Sequence, residues 1–461
     1  MRVLLIYPNV AWELIGWGDL GAIAEPLALE YVGATARLAG HEVRILDLRL
    51  HPDDLEGVLA AWRPDVAGVT GYSMHVLRNL EICALVKRVL PACRTVVGGH
   101  HATLLPDDFF EPPVDHVVVG EGTAPFGALL EQIGSGGSGT GIPGLWSRLR
   151  DRQFVSGGPP AAVDLTRMPW PDRELTRGDR HRYFIDWMQP IALVRTTVGC
   201  PFRCSFCSLW KIMDGKYMVR DVDDVVAEIA AIPESDVFLV DDEPFVNVRR
   251  MHALADRIAA AGLQKEYFSY CRIDSFLRDR TLMERWHDLG LRRVFFGIES
   301  IFDDELAEYH KRQRRGQIVQ ALATARELGI ATMSNFIIKP SYTHRQFADV
   351  VAFIRDNDVD YPTFTILTPI PGTEWGAHLE QVVELQPNGR PRWDLYDLQH
   401  AVVETTLDRS EFVRQYHLLH QVFAKIYVAA RGPGRTRGGH RTRGAPRGAG
   451  SGHGAPGAAE C

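Results

Sequence analysis

Three cysteines, Cys200, Cys204 and Cys207, form a Cys-x-x-x-Cys-x-x-Cys pattern just after a run that reads as a strand. Thiolates hold iron–sulfur clusters, and spacing this short puts all three sulfurs on one loop. Three ligands to a [4Fe–4S] cube leave one iron open to an outside chelator, such as the amino and carboxylate groups of a methionine. Structural zinc is the rival, but zinc prefers a closed set of four ligands. Ser205 and Ser208 are poor fourth ligands, and no histidine lies within the loop. Cys83, Cys93 and Cys271 lie singly in helix- or strand-like surroundings and read as small buried hydrophobes.

Further chemistry-bearing residues follow at strand ends. Asp241-Asp242-Glu243 closes one strand-like run, and a carboxylate there suits a cationic amine. Arg272 ends the next run, and Gly297-Ile298-Glu299-Ser300 the one after. Toward the amino terminus, Val96-Val97-Gly98-Gly99-His100-His101-Ala102-Thr103 and Val118-Val119-Gly120-Glu121-Gly122-Thr123 put small residues where a flat ligand needs close approach to the backbone. Gly16-Trp-Gly18-Asp-Leu-Gly21 formally matches a dinucleotide fingerprint, but its first glycine stands too far beyond Tyr7 to open a helix directly after a strand.

These residues need two frameworks to position them. In residues 1–133, strand-like Val3–Tyr7, Glu42–Leu48, Val66–Tyr72, Thr95–Gly99 and His116–Gly120 alternate with amphipathic helical stretches, which predicts a doubly wound parallel sheet. Its ligands would sit at the carboxyl ends of the strands. The run Gly134–Gly141 begins a linker and connector spanning 134–190. From Ile191 the alternation resumes, with Ile191–Thr197, Val237–Val240, Tyr267–Cys271, Val294–Ile298, Thr332–Ile338 and Thr363–Leu367 as strands. Six such units over 191–389 predict a partial (β/α)6 barrel with chemistry at its carboxyl-terminal mouth. Residues 390–430 read as a small cap. Residues 431–461 hold six Arg and one Glu with almost nothing apolar, a disordered basic tail.

On these motifs the chain resembles the radical S-adenosylmethionine (SAM) superfamily from Ile191 to about Trp375. The loop Gly-Cys200-Pro-Phe-Arg-Cys204-Ser-Phe206-Cys207 is close to that family's pattern. The resemblance implies that Asp242 and Glu243 hold the SAM ammonium, that Arg272, Glu299 and Ser300 lie near SAM, and that the backbone of Ser334–Ile338 meets adenine. The two glycine loops and Glu25–Leu29 resemble the flavodoxin-like cobalamin-binding module that precedes many such barrels, with His100 in place of the usual proline. That likeness implies cobalamin contacts at Tyr72, Ser73, Gly98, Gly99, His101, Gly120, Glu121 and Gly122. No Asp-x-His-x-x-Gly motif supplies a histidine for cobalt; His75, after the third strand, could face the corrin but reads better as a hydrogen-bonding residue at the surface or behind the site. Thr365–Thr373 and Trp393–Val402 resemble the hopanoid C-3 methylase branch and related antibiotic-tailoring methylases.

The implied function is C-methylation of a small molecule, a secondary metabolite or lipid precursor. A [4Fe–4S] cluster, SAM and cobalamin are the implied cofactors, and flavodoxin or ferredoxin the electron donor. Radical cyclisation or ring rearrangement on the same scaffold, or a non-catalytic cobalamin- or metal-binding role, are the alternatives. A net charge of −7 gives no reason to expect nucleic acid, and the sequence has no run long and apolar enough to span a bilayer. MRVLLIYPNV reads as a buried strand rather than a signal peptide, so a cytoplasmic location is expected.

Overall fold

The computed structural model describes residues 1–10 and 22–431. The glycine motif Gly16–Gly21 and all of the basic tail beyond Arg431 lie outside the described residues.

The first sheet has seven strands. Its parallel part runs Glu42–Asp47, Arg2–Tyr7, Val66–Val69, Arg94–Val97, His116–Val118, the strand order 2-1-3-4-5 of a flavodoxin-like sheet. Runs of Val, Leu and Ile form these strands because helices cover both faces, leaving no polar side to alternate. Four of them end earlier than the apolar runs suggest. Gly99 explains one case: its φ of +100° turns the chain off the sheet, and a Cβ there would lie 2.7 Å from the Gly71 backbone.

The sheet does not stop at residue 133. Leu145–Arg148 pairs antiparallel with His116–Val118, and Phe154–Ser156 pairs antiparallel with Leu145–Arg148. The expected linker therefore supplies two strands. Its glycines fold the chain back, and Ser147 Oγ donates to the Gly139 carbonyl at 2.7 Å to fix the return.

The second sheet has six parallel strands in chain order: Ile191–Val194, Asp236–Leu239, Glu266–Cys271, Leu291–Glu299, Ala331–Ile338 and Tyr361–Ile366. It curls as a partial barrel, as the six-unit reading expected. Outward-facing Cys271, Val294, Phe296, Ile298, Phe336 and Phe364 are buried beneath helices. Inward-facing Tyr270, Phe295, Asn335, Thr363 and Thr365 stay partly accessible, so the lumen is open to solvent.

Residues 173–180 weld the domains through buried ion pairs. Arg180 donates to Glu25 at 2.6 Å and also pairs with Glu234, while Arg173 donates to Glu228 at 2.8 Å and to the Leu193 carbonyl at 2.6 Å. Buried charges need such partners to offset their desolvation.

The expected cap divides between the two domains. Val382, Trp393, Tyr396 and Val402 pack into the first domain beside Leu4, Ile6 and Val97. Phe412, Tyr416, Leu419 and Phe423, on the helix Arg409–Arg431, join the barrel core instead. Trp393 lies 4.7 Å, ring to ring, from His101 and 4.6 Å from Tyr396. Trp393→Ala is expected to cost about 3–5 kcal/mol of stability, measured by urea unfolding, and to loosen the first domain although the mutated residue follows the barrel in sequence.

Candidate active site

The cysteine loop leaves the barrel through a short hairpin of Thr197–Val198 with Met218–Val219. Gly199 makes the exit at φ +84°, where a Cβ would sit 2.2 Å from the Lys216 carbonyl. The loop is pinned on both sides. Ser205 donates its backbone N–H to Tyr309 O at 3.1 Å and its hydroxyl to Glu308 O at 3.0 Å, while Glu374 N–H donates to Ser205 O at 3.0 Å. Trp210 Nε1 donates to Cys204 O at 3.1 Å. Burial pushes the Cys200 thiol up to about 11 and Cys207 up to about 12, so bare thiolates are disfavoured until a positively charged group arrives. Among the described residues no group of three His, Cys, Asp or Glu side chains, the three cysteines included, stands already gathered around one metal-ion position.

Arg272 joins this loop to the acidic strand end. Its Nη1 lies 3.6 Å from Cys204 Sγ, its guanidinium stacks on Phe202 at 3.8 Å, and Nε donates to Asp274 at 2.8 Å. Its backbone N–H donates to Glu243 Oε2 at 2.6 Å. Glu243 Oε1 is buried with no hydrogen-bond partner, and burial pushes the carboxyl up to about 7. Burial and then the neighbouring Asp241 push Asp242 up to about 6. Asp241 itself is structural: its carboxylate accepts from Thr196 N, Thr197 N and Thr196 Oγ1 at 2.5–2.7 Å.

Glu299 sits at φ +65°, a strained conformation for a non-glycine residue. Lys311 Nζ donates to it at 2.7 Å and Asn335 Nδ2 at 3.2 Å. Asn335 and Thr365 continue this polar strip into the lumen through a 3.3 Å hydrogen bond. Sequence reasoning missed Lys311 altogether and used only the backbone of Asn335, because neither lies in a motif of its own. The Ser300 hydroxyl donates to Glu305 at 2.5 Å and accepts from Phe302 N–H at 3.1 Å, which shapes the turn.

The glycine loops of the first domain lie at the carboxyl edge of its sheet. Tyr72 is 55% exposed there, its ring 5.5 Å from that of His100. Gly98, Gly99, Gly120 and Gly122 remain at this edge, and Gly120 N–H donates to Thr103 Oγ1 at 3.0 Å to tie one loop to the other. Three expected contact residues hold hydrogen bonds within the protein. His101 is buried between Ser73 Oγ and Asp108 Oδ2, both at 2.9 Å, which also occupies Ser73. Glu121 accepts the Thr123 N–H at 3.0 Å at the start of a helix. His75 Nδ1 accepts the Tyr72 N–H at 3.0 Å, so that nitrogen is no cobalt ligand.

The two edges meet. His100 Nε2 lies 2.7 Å from Ser208 Oγ, one residue past Cys207. Burial lowers the His100 pKa to about 4, so the neutral ring makes this contact. On the same side, Gly372 packs so closely on Leu104 that a Cβ would come within 2.7 Å of it. His100→Ala and Ser208→Ala are each expected to cost about 1 kcal/mol in urea unfolding, and the double variant no more than the larger single one.

A doubly wound domain whose glycine edge faces a barrel bearing a three-cysteine loop defines a two-module radical enzyme. Residues 15–130 match the B12 binding domain family, and residues 194–354 the Radical SAM superfamily. The hopanoid C-3 methylase of Methylococcus capsulatus is 33% identical over 411 residues, covering 87% of this chain and 76% of that protein. The chain belongs to the cobalamin-dependent radical SAM methyltransferases, whose cofactors are a [4Fe–4S] cluster, SAM and cobalamin. Two solved structures share the fold across both modules. The radical SAM methyltransferase TsrM from Kitasatospora setae, with tryptophan substrate and a SAM analogue bound, has a TM-score of 0.66 at 22% identity, covering 90% of this chain and 83% of its own. The cobalamin-dependent SAM radical enzyme OxsB, with aqua-cobalamin and SAM, has a TM-score of 0.68 at 14% identity, covering 93% and 67%.

Proposed function

We propose that this protein methylates an unactivated carbon of a small molecule, a secondary metabolite or lipid precursor, drawing the methyl group from SAM by way of cobalamin. The observation that carries the reading is the apposition of the glycine edge and the cysteine loop, closed by His100 on Ser208. When bound, the cluster and SAM supply a hydrogen-abstracting 5′-deoxyadenosyl radical, and cobalamin supplies the methyl group.

The residues present fit these groups. Cys200, Cys204 and Cys207 offer three thiols on one pinned loop, and Arg272 beside Cys204 offsets their developing negative charge. The unpartnered Glu243 Oε1 has the charge and position to accept the ammonium of SAM, with Asp242 beside it. Glu299, Lys311 and Asn335 would hold the polar part of SAM further along the mouth. Tyr72, Gly98, Gly99, Gly120 and Gly122 would receive cobalamin, while Ser73, His101, Glu121 and Ser300 position the loops that carry them. A small electron-transfer protein, flavodoxin or ferredoxin, would reduce the cluster, and the proposed site of action is the cytoplasm. Among the described residues no helix is long and apolar enough to cross a membrane.

Reconstituted enzyme given a candidate substrate and methyl-labelled SAM is expected to place label in the product. SAM cleavage with an altered but unlabelled product would identify a cyclisation or rearrangement instead. Absence of both would leave a binding protein.

A further inference from the structure

Arg195 stands apart among the interior cations. On the first barrel strand, Ile191 and Leu193 face the lumen, while Ala192 and Val194 face the helices behind it. Arg195 follows on the lumen side, at the strand's carboxyl end. Its guanidinium stacks 4.5 Å over the ring of Tyr31 in the first domain, and Nη2 donates to Met168 Sδ at 3.0 Å. Tyr31, Met168 and Leu193 belong to one apolar cluster, so Arg195 sits at the seam between the first domain and the lumen.

The other guanidiniums buried in the barrel domain are matched. Arg220, Arg272 and Arg293 each pair with a carboxylate, and Arg250 donates to three protein oxygens. Arg195 has only a thioether, a weak acceptor. Among the described residues its Nε is buried without a partner, and its Nη1 is neither buried nor hydrogen-bonded. Tyr31 Oη beside it is also buried without a partner. Unmatched donors in the interior cost folding free energy, and a ligand that accepts from them removes that cost. Asp242 lies within electrostatic reach of Arg195 but forms no ion pair with it. Once Asp242 faces the ammonium of SAM, Arg195 is left without a counter-charge. In the methyl-transfer reading the SAM carboxylate goes to the open iron of the cluster, which leaves Arg195 for another anion. A planar carboxylate matches the guanidinium fork.

We propose that Arg195 is a substrate-binding residue that holds a carboxylate on the molecule being methylated. This rests on the methyl-transfer reading and narrows its substrate to an organic acid. The rest of that molecule would lie along the apolar wall of Leu193, Tyr270 and Phe295.

The test uses the full-length holoenzyme under anaerobic conditions, with cinnamate and cinnamamide as probes in equilibrium dialysis. The two share one skeleton and differ by one negative charge. Cinnamate is expected to bind at least about tenfold more tightly than the amide. Arg195→Gln is expected to weaken cinnamate about tenfold and to leave the amide within about twofold. Arg195→Lys keeps the charge without the fork and should retain part of the preference, a second check should Arg195→Gln fold poorly. Equal binding of the two probes, tighter binding of the amide, or a cinnamate preference that survives in Arg195→Gln overturns the proposal. SAM and cobalamin are dialysed against the same variants. Weakening of either by about tenfold in Arg195→Gln assigns the residue to a cofactor's carboxylate or phosphate and also overturns it. SAM cleavage by the parent enzyme separates this inference from the reading beneath it. A parent that cleaves SAM but binds both probes alike keeps methyl transfer and loses only the organic acid. A parent that prefers cinnamate without cleaving SAM keeps the carboxylate site and loses methyl transfer.

Discussion

Cys204→Ala is expected to reduce the reconstituted protein from about four irons per chain to a small residue and to bring SAM cleavage to background. The loop itself should survive. Its shape depends on backbone and hydroxyl contacts of Ser205, on Glu374 N–H and on the indole of Trp210, none of which uses the thiol. The ligand-free variant should therefore unfold within about 1 kcal/mol of the parent. Iron content, visible absorbance of the cluster and urea unfolding, taken together, check this. A variant that keeps its iron would remove Cys204 from the ligand set, and one that unfolds outright would assign it a structural role instead.

Glu243→Gln should separate function from stability in the opposite direction. Burial raises this carboxyl from an ordinary 4.5 to about 7. The folded, ligand-free protein therefore retains a proton that the unfolded chain releases across that interval. Stability falls as pH rises from about 4.5 to 7, by about 3 kcal/mol from this one group. Glutamine carries no such proton. The ligand-free variant should match the parent near pH 4 and exceed its stability at pH 8, in urea unfolding followed across that range. Asp242 and Glu30, raised to about 6 and about 8, leave a shallower slope of the same sign in the variant. Binding of SAM should show the reverse preference. Removing the carboxylate that faces its ammonium is expected to weaken SAM more than about a hundredfold by equilibrium dialysis. A variant that binds SAM normally would exclude Glu243 from that contact.

The parts of this site that could be read in the sequence are those carried by one short segment. The three cysteines share a loop, Asp242 and Glu243 adjoin a strand end, and Gly99 and Gly120, both at positive φ, mark turns that a side chain would strain. Contacts created by register or domain docking left no local trace. Lys311 meets Glu299 only because the chain doubles back after the fourth barrel strand. His100 meets Ser208 only because two domains close on each other. The resemblance also placed Ser73, His101, Glu121 and Ser300 among ligand contacts, and nothing in the sequence showed that each also holds a hydrogen bond inside the protein. The strands at Leu145 and Phe154 escaped notice because they are short, antiparallel and separated from the parallel set by a glycine-rich turn.

The division of the carboxyl-terminal region has a bearing on synthesis. Trp393, Tyr396 and Val402 complete the core of a domain whose own strands were translated more than two hundred residues earlier. At ordinary ribosome speeds of about 5–20 residues per second, that domain waits for tens of seconds with part of its apolar surface uncovered. It cannot mature first and then pass a finished partner to the barrel, as independent modules do. The enzyme's assembly is a loop closed in time as well as in space, and holdase chaperones have their longest opportunity to act on the segment that will later carry cobalamin.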